Sequence, residues 1–142
     1  MPDKASMGEL FRTFRISASG MKAQGTRLRV ISENIANADS LPRTLGEMPY
    51  RRKVVTFKSE LDRSSGVDTV AVDKIRPDLS QFKSRYDPAH PAANADGYVL
   101  TPNVNSMIEM MDMREAQRSY EANLTVIKSS KSMLQSAIGL LR

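Results

Sequence analysis

The chain has 142 residues, 40% of them hydrophobic and 26% charged, with 6% aromatics, no tryptophan and no cysteine. These values argue against wholesale disorder and a large aromatic core, and they exclude disulfide staples and thiolate metal sites. The net charge of +5 is spread as six basic against three acidic groups over residues 1–37, ten against nine over 38–102, and five against four over 103–142, unlike the concentrated stripe of a nucleic-acid binder.

The first predicted element is a long helix. Ser6-Met7-Gly8-Glu9 fits a capping box and places its start at Ser6. From there Met7, Leu10, Phe14, Ser17, Met21, Gln24, Leu28, Ile31, Ile35 and Ala38 step by three and four, which draws an apolar seam down one side. Gly8, Gly20 and Gly25 each cost this helix about 1 kcal/mol against alanine. Asn37, Asp39 and Pro42 end it. Arg12 and Arg15 interrupt the early apolar residues, so no cleaved signal peptide is expected. No window approaches the roughly 20 apolar residues of a membrane span, and no membrane insertion is expected.

Residues 39–102 read differently. Leu41 to Pro49 is a loop rich in turn residues. Tyr50 to Lys58, with Val54-Val55-Thr56-Phe57, reads as a strand, as does Val67 to Ile75 after the turn pair Ser65-Gly66. Gln81 to Tyr86 and Tyr98 to Thr101 are shorter strands, separated by the irregular Asp87-Pro88-Ala89-His90-Pro91 and the turn pair Asp96-Gly97.

A second long helix follows Pro102, with Ser106-Met107-Ile108-Glu109 repeating the capping box. Its seam is Met110, Met113, Gln117, Tyr120, Leu124, Ile127, Lys131, Leu134, Ile138 and Leu141. A rod of this kind runs roughly 55 Å at 1.5 Å per residue, too long for a small globule to enclose, so the seam needs a partner. Each helix also carries a second stripe, Ile16, Ala23 and Val30 on the first and Val126, Met133 and Leu140 on the last, which a simple two-helix pair leaves in water. The predicted fold class is α+β. The terminal helices of residues 1–38 and 103–142 pair antiparallel as a coiled-coil domain. The β-rich middle of residues 39–102 sits at the far end. In a free chain the terminal arms are expected to be frayed and to order on assembly.

Catalytic chemistry is hard to place. The one histidine, His90, lies among prolines in a loop, where bonding to nearby backbone is the simpler reading, and no phosphate-binding glycine spacing exists. Glu109, Asp112 and Glu115 sit where negative charge favours the helix dipole. Met107, Met110, Met111 and Met113 suit either an adaptable binding surface or filler against the β element. Gln117 and Lys131 are polar seam positions that set register or mark a solvated gap.

Several motifs carry a family resemblance over nearly the whole chain. Ser32-Glu33-Asn34-Ile35-Ala36-Asn37-Ala38 resembles the N-terminal signature of bacterial flagellar rod and hook axial proteins. Pro102-Asn103-Val104-Asn105, Glu109-Met110 and Glu121-Ala122-Asn123 resemble their C-terminal one. Tyr86-Asp87-Pro88-Ala89-His90-Pro91, Asp96-Gly97-Tyr98-Val99 and Gly46-Glu47-Met48-Pro49-Tyr50-Arg51-Arg52-Lys53 are similar to the proximal rod members. Asp39-Ser40 after Ala38 departs from the usual Asn-Thr. The resemblance implies a structural, non-enzymatic subunit without cofactor, metal or small-molecule ligand. It implies export through the flagellar type III apparatus, helical assembly with itself and other rod subunits, and a periplasmic drive shaft around an export channel. The implied packing positions are the seam residues of both helices. The alternatives are another rod subunit, a cytosolic coiled-coil adaptor that uses one seam, or a nucleic-acid binder.

Overall fold

Two helices carry half of the chain and set its axis. In the computed structural model, which describes residues 4–141, α1 spans Lys4–Ala36 and α2 spans Ser106–Leu140. Between them lie β1 (Lys53–Asp62), β2 (Val67–Pro77), β3 (Lys83–Tyr86) and β4 (Tyr98–Thr101). The outermost bounds of the expected helical domain, residues 1–3 and 142, lie outside the described residues. The architecture is α+β, with the helices side by side and antiparallel: Asn34 meets Glu109, Arg27 meets Glu115, and Gly20 meets Asn123.

Both helix starts differ from the capping-box expectation. α1 begins at Lys4, so Ser6 lies inside its first turn. α2 is capped by Asn105, whose side-chain oxygen accepts from the Met107 and Ile108 N–H groups. Glu109 does not reach back to the cap, because its carboxylate is drawn into the protein by Arg52 and Asn34. α1 ends at Ala36, and the Asn37–Asp39 turn follows as the sequence implies.

β1 and β2 form an antiparallel hairpin, and β3 and β4 form a separate one. The tight turn between β1 and β2 places Gly66 at φ +67°, a left-handed conformation that favours glycine. A bulge beside Thr56 and Phe57 leaves Asp73 without an opposite residue. This hairpin does not stay at the far end of the helices, contrary to expectation. It folds back along α1, where the Ser19 hydroxyl accepts from the Val70 N–H at 3.2 Å. Arg15 holds the turn, donating to Asp62 at 2.5 Å and to Ser64 at 2.6 Å. The reason lies in the inner part of the second stripe, Ala23 and Val30. Ala23 faces the β2 stretch Thr69–Val72, and Ala23 and Val30 are buried. Two of the three residues of this second stripe, Ala23 and Val30, are therefore covered within the chain, whereas Ile16 stays exposed, as do Val126, Met133 and Leu140 on α2.

Along the α1 seam Ser17 and Ile31 are buried, Met7, Leu10, Met21, Gln24, Leu28 and Ile35 are half-buried, and Phe14 is exposed. On α2 only one half of the seam turns inward. Met113, Tyr120, Ile127 and Leu134 are half-buried, as is Leu124. Met110, Gln117, Lys131, Ile138 and Leu141 are exposed. The other inward column is Glu109, Ala116, Asn123, Ser130 and Ala137, mostly small residues. Small side chains let the helix backbones approach. At Gly20 an added Cβ would stand 2.7 Å from Asn123 Nδ2.

Candidate functional site: the helix pair and its polar clasp

The best-ordered chemistry lies where α1 ends and α2 begins. Asn34, on the last turn of α1, is 1% exposed. Its side-chain nitrogen donates to the Lys53 carbonyl at 2.9 Å and to Glu109 at 3.2 Å. Its oxygen accepts from the Tyr50 hydroxyl at 2.8 Å and from the Lys53 N–H at 2.9 Å. All four hydrogen-bonding valences of the amide are thus filled, and one side chain ties both helices to the first residue of β1.

Glu109, also 1% exposed, is the counterpart on α2. Its carboxylate accepts from Arg52 Nε. Arg52 further reaches Asp78 at 3.3 Å and Asp112 at 3.6 Å. Burial works against the Arg52 charge, but Glu109 and then Asp78 outweigh it and raise its pKa. Burial also raises the Tyr50 pKa, with Glu33 and Glu109 adding to the effect. Ser80, through its N–H and then its hydroxyl, and after it Arg52, hold the Asp78 carboxyl below its usual range against partial desolvation.

Asn103 completes the clasp from the strand side. Its oxygen accepts from the Arg52 N–H at 2.8 Å, and its nitrogen donates to the Asp78 and Ser80 carbonyls at 3.0 and 3.2 Å. Pro102 and Val104 beside it are buried, as are Val99 on β4 and Ala92 in the loop before it. Gly97 (φ +85°) leaves room there for the Tyr86 ring, which an added Cβ would meet at 2.9 Å. The basic run is consumed inward. Arg51 donates to the Asp78 and Ser80 carbonyls and lies 4.2 Å over the Phe82 ring, and Lys53 pairs with Glu33 at 3.2 Å.

The motif residues divide accordingly. Asn34, Pro102, Asn103, Asn105 and Glu109 converge on the clasp or the cap beside it. Asn37 donates to the Glu33 carbonyl at 2.8 Å and closes the end of α1. Asn123 packs against Gly20 halfway along the pair. Ala36, Met110, Glu121 and Ala122 face solvent. Reading Glu109, Asp112 and Glu115 as dipole partners missed their main role, which is to meet Arg52 and Arg27. The signal available was the pairing of an acidic triplet at helical spacing with Arg27, beside the seam of the other helix, and Arg52 in the basic run. The His90 imidazole accepts from the Ala92 N–H at 3.0 Å and serves its own loop. Among the described residues no cluster of potential metal ligands occurs, and no helix is long and apolar enough to cross a membrane.

This geometry holds a rod-shaped pair of helices at one end. Comparison with known proteins gives it a context. Residues 14–40 match the family described as flagella basal body rod protein, and residues 95–140 match the flagellar basal body rod FlgEFG protein C-terminal family. The flagellar basal-body rod protein FlgC of Agrobacterium fabrum is 53% identical over 136 residues, covering 96% of this chain and 98% of that protein. The FlgC proteins of Bacillus subtilis and Salmonella typhimurium are 40% and 37% identical, over 90% and 92% of this chain and 95% and 97% of their own.

Proposed function

Because the chain belongs to the FlgC family of flagellar basal-body rod proteins and is a structural subunit of that rod, we propose that it builds the proximal, periplasmic segment of the shaft. In this reading it is exported through the flagellar type III apparatus and acts without catalysis, cofactor or small-molecule ligand. Residues 1–38 and 103–142 form the assembling domain, packed as coiled coils around an export channel, and residues 39–102 brace it from outside.

The observation that carries this reading is the asymmetry of α2. Its inward column is small and polar, whereas Met110, Leu124 and Ile138 flank it on one side and Val126, Met133 and Leu140 on the other, mostly exposed. A helix with two apolar flanks suits a wall in which it has neighbours on both sides. The subunit-packing positions are then Met7, Leu10, Phe14, Met21, Leu28, Ile31 and Ile35 on α1. On α2 they are Met110, Met113, Tyr120, Leu124, Ile127, Leu134, Ile138 and Leu141. A discrete-dimer adaptor would cover only one flank.

The test is a deletion strain. It is expected to build basal bodies that lack a rod and to swim again when the wild-type chain is restored. Secreted protein of unprocessed mass, dependent on the flagellar export apparatus, is expected alongside. Intact rods without the chain would overturn the proposal.

A further inference from the structure

Each strand of the first hairpin has one edge that its partner strand does not use. On β2 that edge meets α1, where the Val70 N–H turns away from β1 to the Ser19 hydroxyl. Val70 stands opposite Ser59. In an antiparallel ladder both members of such a pair turn their backbone groups away from each other, so Ser59 points outward. Alternation along the strand carries Phe57 and Leu61 with it. The same alternation turns Lys53 outward, where Asn34 takes up both its N–H and its carbonyl. The bulge does not disturb this count, because its extra residue, Asp73, lies on β2.

Beyond that base the outer edge of β1 is bare. Thr56 to Leu61 are all exposed. The outward N–H and C=O groups of Phe57, Ser59 and Leu61 have no hydrogen-bond partner among the described residues. Phe57 and Leu61 flank Ser59 on one face of the strand, and Lys58 and Glu60 lie on the other. Neither Lys58 nor Glu60 makes an ion pair among the described residues.

From this bare edge and the order of its charges, we infer that the unassembled chain forms a closed two-fold dimer by pairing β1 with β1 of a second copy, antiparallel and centred on Ser59. Only a register centred on an outward residue leaves the β1–β2 ladder intact. Centred on Ser59, Phe57 meets Leu61 of the copy twice over, and Lys58 meets Glu60 twice over. A register centred on Phe57 calls on Lys53, which Asn34 already holds. One centred on Leu61 carries Ser59 onto Arg63, beyond the strand. In-register parallel pairing sets Lys58 beside Lys58. Charges on an edge strand ordinarily repel an intruder, but here they are self-complementary. The product is a single four-stranded sheet, which is more stable than two isolated hairpins. A two-fold contact closes on itself and turns the two helix pairs in opposite directions, whereas subunits stacked helically along a rod all point one way. The dimer is therefore a state of the free chain that parts on assembly, and the inference goes beyond the rod-subunit reading.

Analytical ultracentrifugation of the full chain over a range of concentrations is expected to show a monomer–dimer equilibrium and nothing larger. Lys58→Glu sets like charges opposite each other twice and is expected to weaken the dimer about tenfold. The swap variant Lys58→Glu, Glu60→Lys is expected to restore it, which separates pairing from any loss of fold. Disulfides read the register, since the chain has no cysteine of its own. Lys58 and Glu60 of the copy face each other in a close, non-hydrogen-bonded pair. An oxidised mixture of Lys58→Cys and Glu60→Cys chains is therefore expected to give the mixed disulfide in preference to either self-disulfide. A chain that stays monomeric up to its solubility limit would overturn the inference, as would growth beyond the dimer. So would a dimer indifferent to Lys58→Glu or not restored by the swap, or mixed and self-disulfides in equal yield. Rod building in the deletion strain is a separate readout, so any of these failures would leave the rod-subunit reading standing.

Discussion

The two ends of the helix pair are built on opposite principles. At one end Asn34, Glu109 and Arg52 are locked in a saturated, buried polar network. At the other, Phe11 and Phe14 stand half out of an apolar cleft. The clasp's hydrogen bonds are saturated within the chain, whereas apolar area is left uncovered around both ends, at Met107, Ile108 and Met111 beside the clasp and at Phe11 and Phe14 at the open end. A subunit built this way sets its internal register by hydrogen bonds and keeps its hydrophobic surface for assembly.

The largest break in that comparison comes from the clasp. Glu109→Ala strips the partner from a partly buried arginine, and losses of about 3–5 kcal/mol accompany such disruption of buried pairs. Thermal unfolding of the purified variant is expected to drop by well over the effect of any single open-end truncation, and Asn34→Asp, which sets a second carboxylate beside Glu109, is expected to follow it. A fall no larger than that of Phe11→Ala would mean the clasp is ornamental.

Midway along the pair, Ile127→Asp brings a carboxylate to a half-buried position facing α1 with no partner, at a cost of about 1–3 kcal/mol. Leu124→Asp acts on the flank offered to neighbours as well. Both are expected to abolish swimming in soft agar while the protein is still exported. Normal swimming by both would refute the packing positions.

The glycines give a finer contrast. Gly25 has nothing within 4 Å of an added Cβ, so Gly25→Ala is expected to stabilise by up to about 1 kcal/mol in denaturant unfolding. Gly20→Ala drives its methyl into Asn123 and is expected to yield no such gain. Equal gains at both sites would show that the helices do not approach closely there.

The smallest effects are those of pH. Hydrogen bonds from Ser64, Ser65 and Arg15 hold the Asp62 carboxyl far below the usual range. A carboxyl depressed in the folded state contributes stability above its unfolded pKa and loses it as pH falls through the folded value. The hairpin tip is therefore expected to keep its hold on α1 through mild acid and to release only in strong acid. Tyr50 moves the other way, so its contribution is present at neutral pH and lost as strongly alkaline pH passes its raised value. In melting curves against pH, Asp62→Asn is expected to flatten the acid limb and leave the alkaline limb unchanged.

Much of this was legible in residue order. Both helices announce themselves by their three-and-four stepping, and the first hairpin by Val54-Val55-Thr56-Phe57 and Ser65-Gly66. The inward column of α2 was not legible, because Ala116, Asn123, Ser130 and Ala137 carry little hydrophobic signal; what they provide is close approach, which depends on the facing helix. The hairpin's return along α1 was hidden for a similar reason. Ala23 and Val30 mark an apolar stripe, but nothing local names the element that covers it. The clasp needed residues from four separated stretches, and Glu109 had a sufficient local explanation in the helix dipole.

Hydrogen exchange on the dilute, unassembled chain tests the two-ended design most directly. Protection is expected to be greatest near Asn34 and Glu109 and to decline along both helices toward Phe14 and Ser130, rising at that open end only when the subunit is assembled. Uniform protection from Leu10 to Ile35 and from Met113 to Leu134 in the free chain would contradict it.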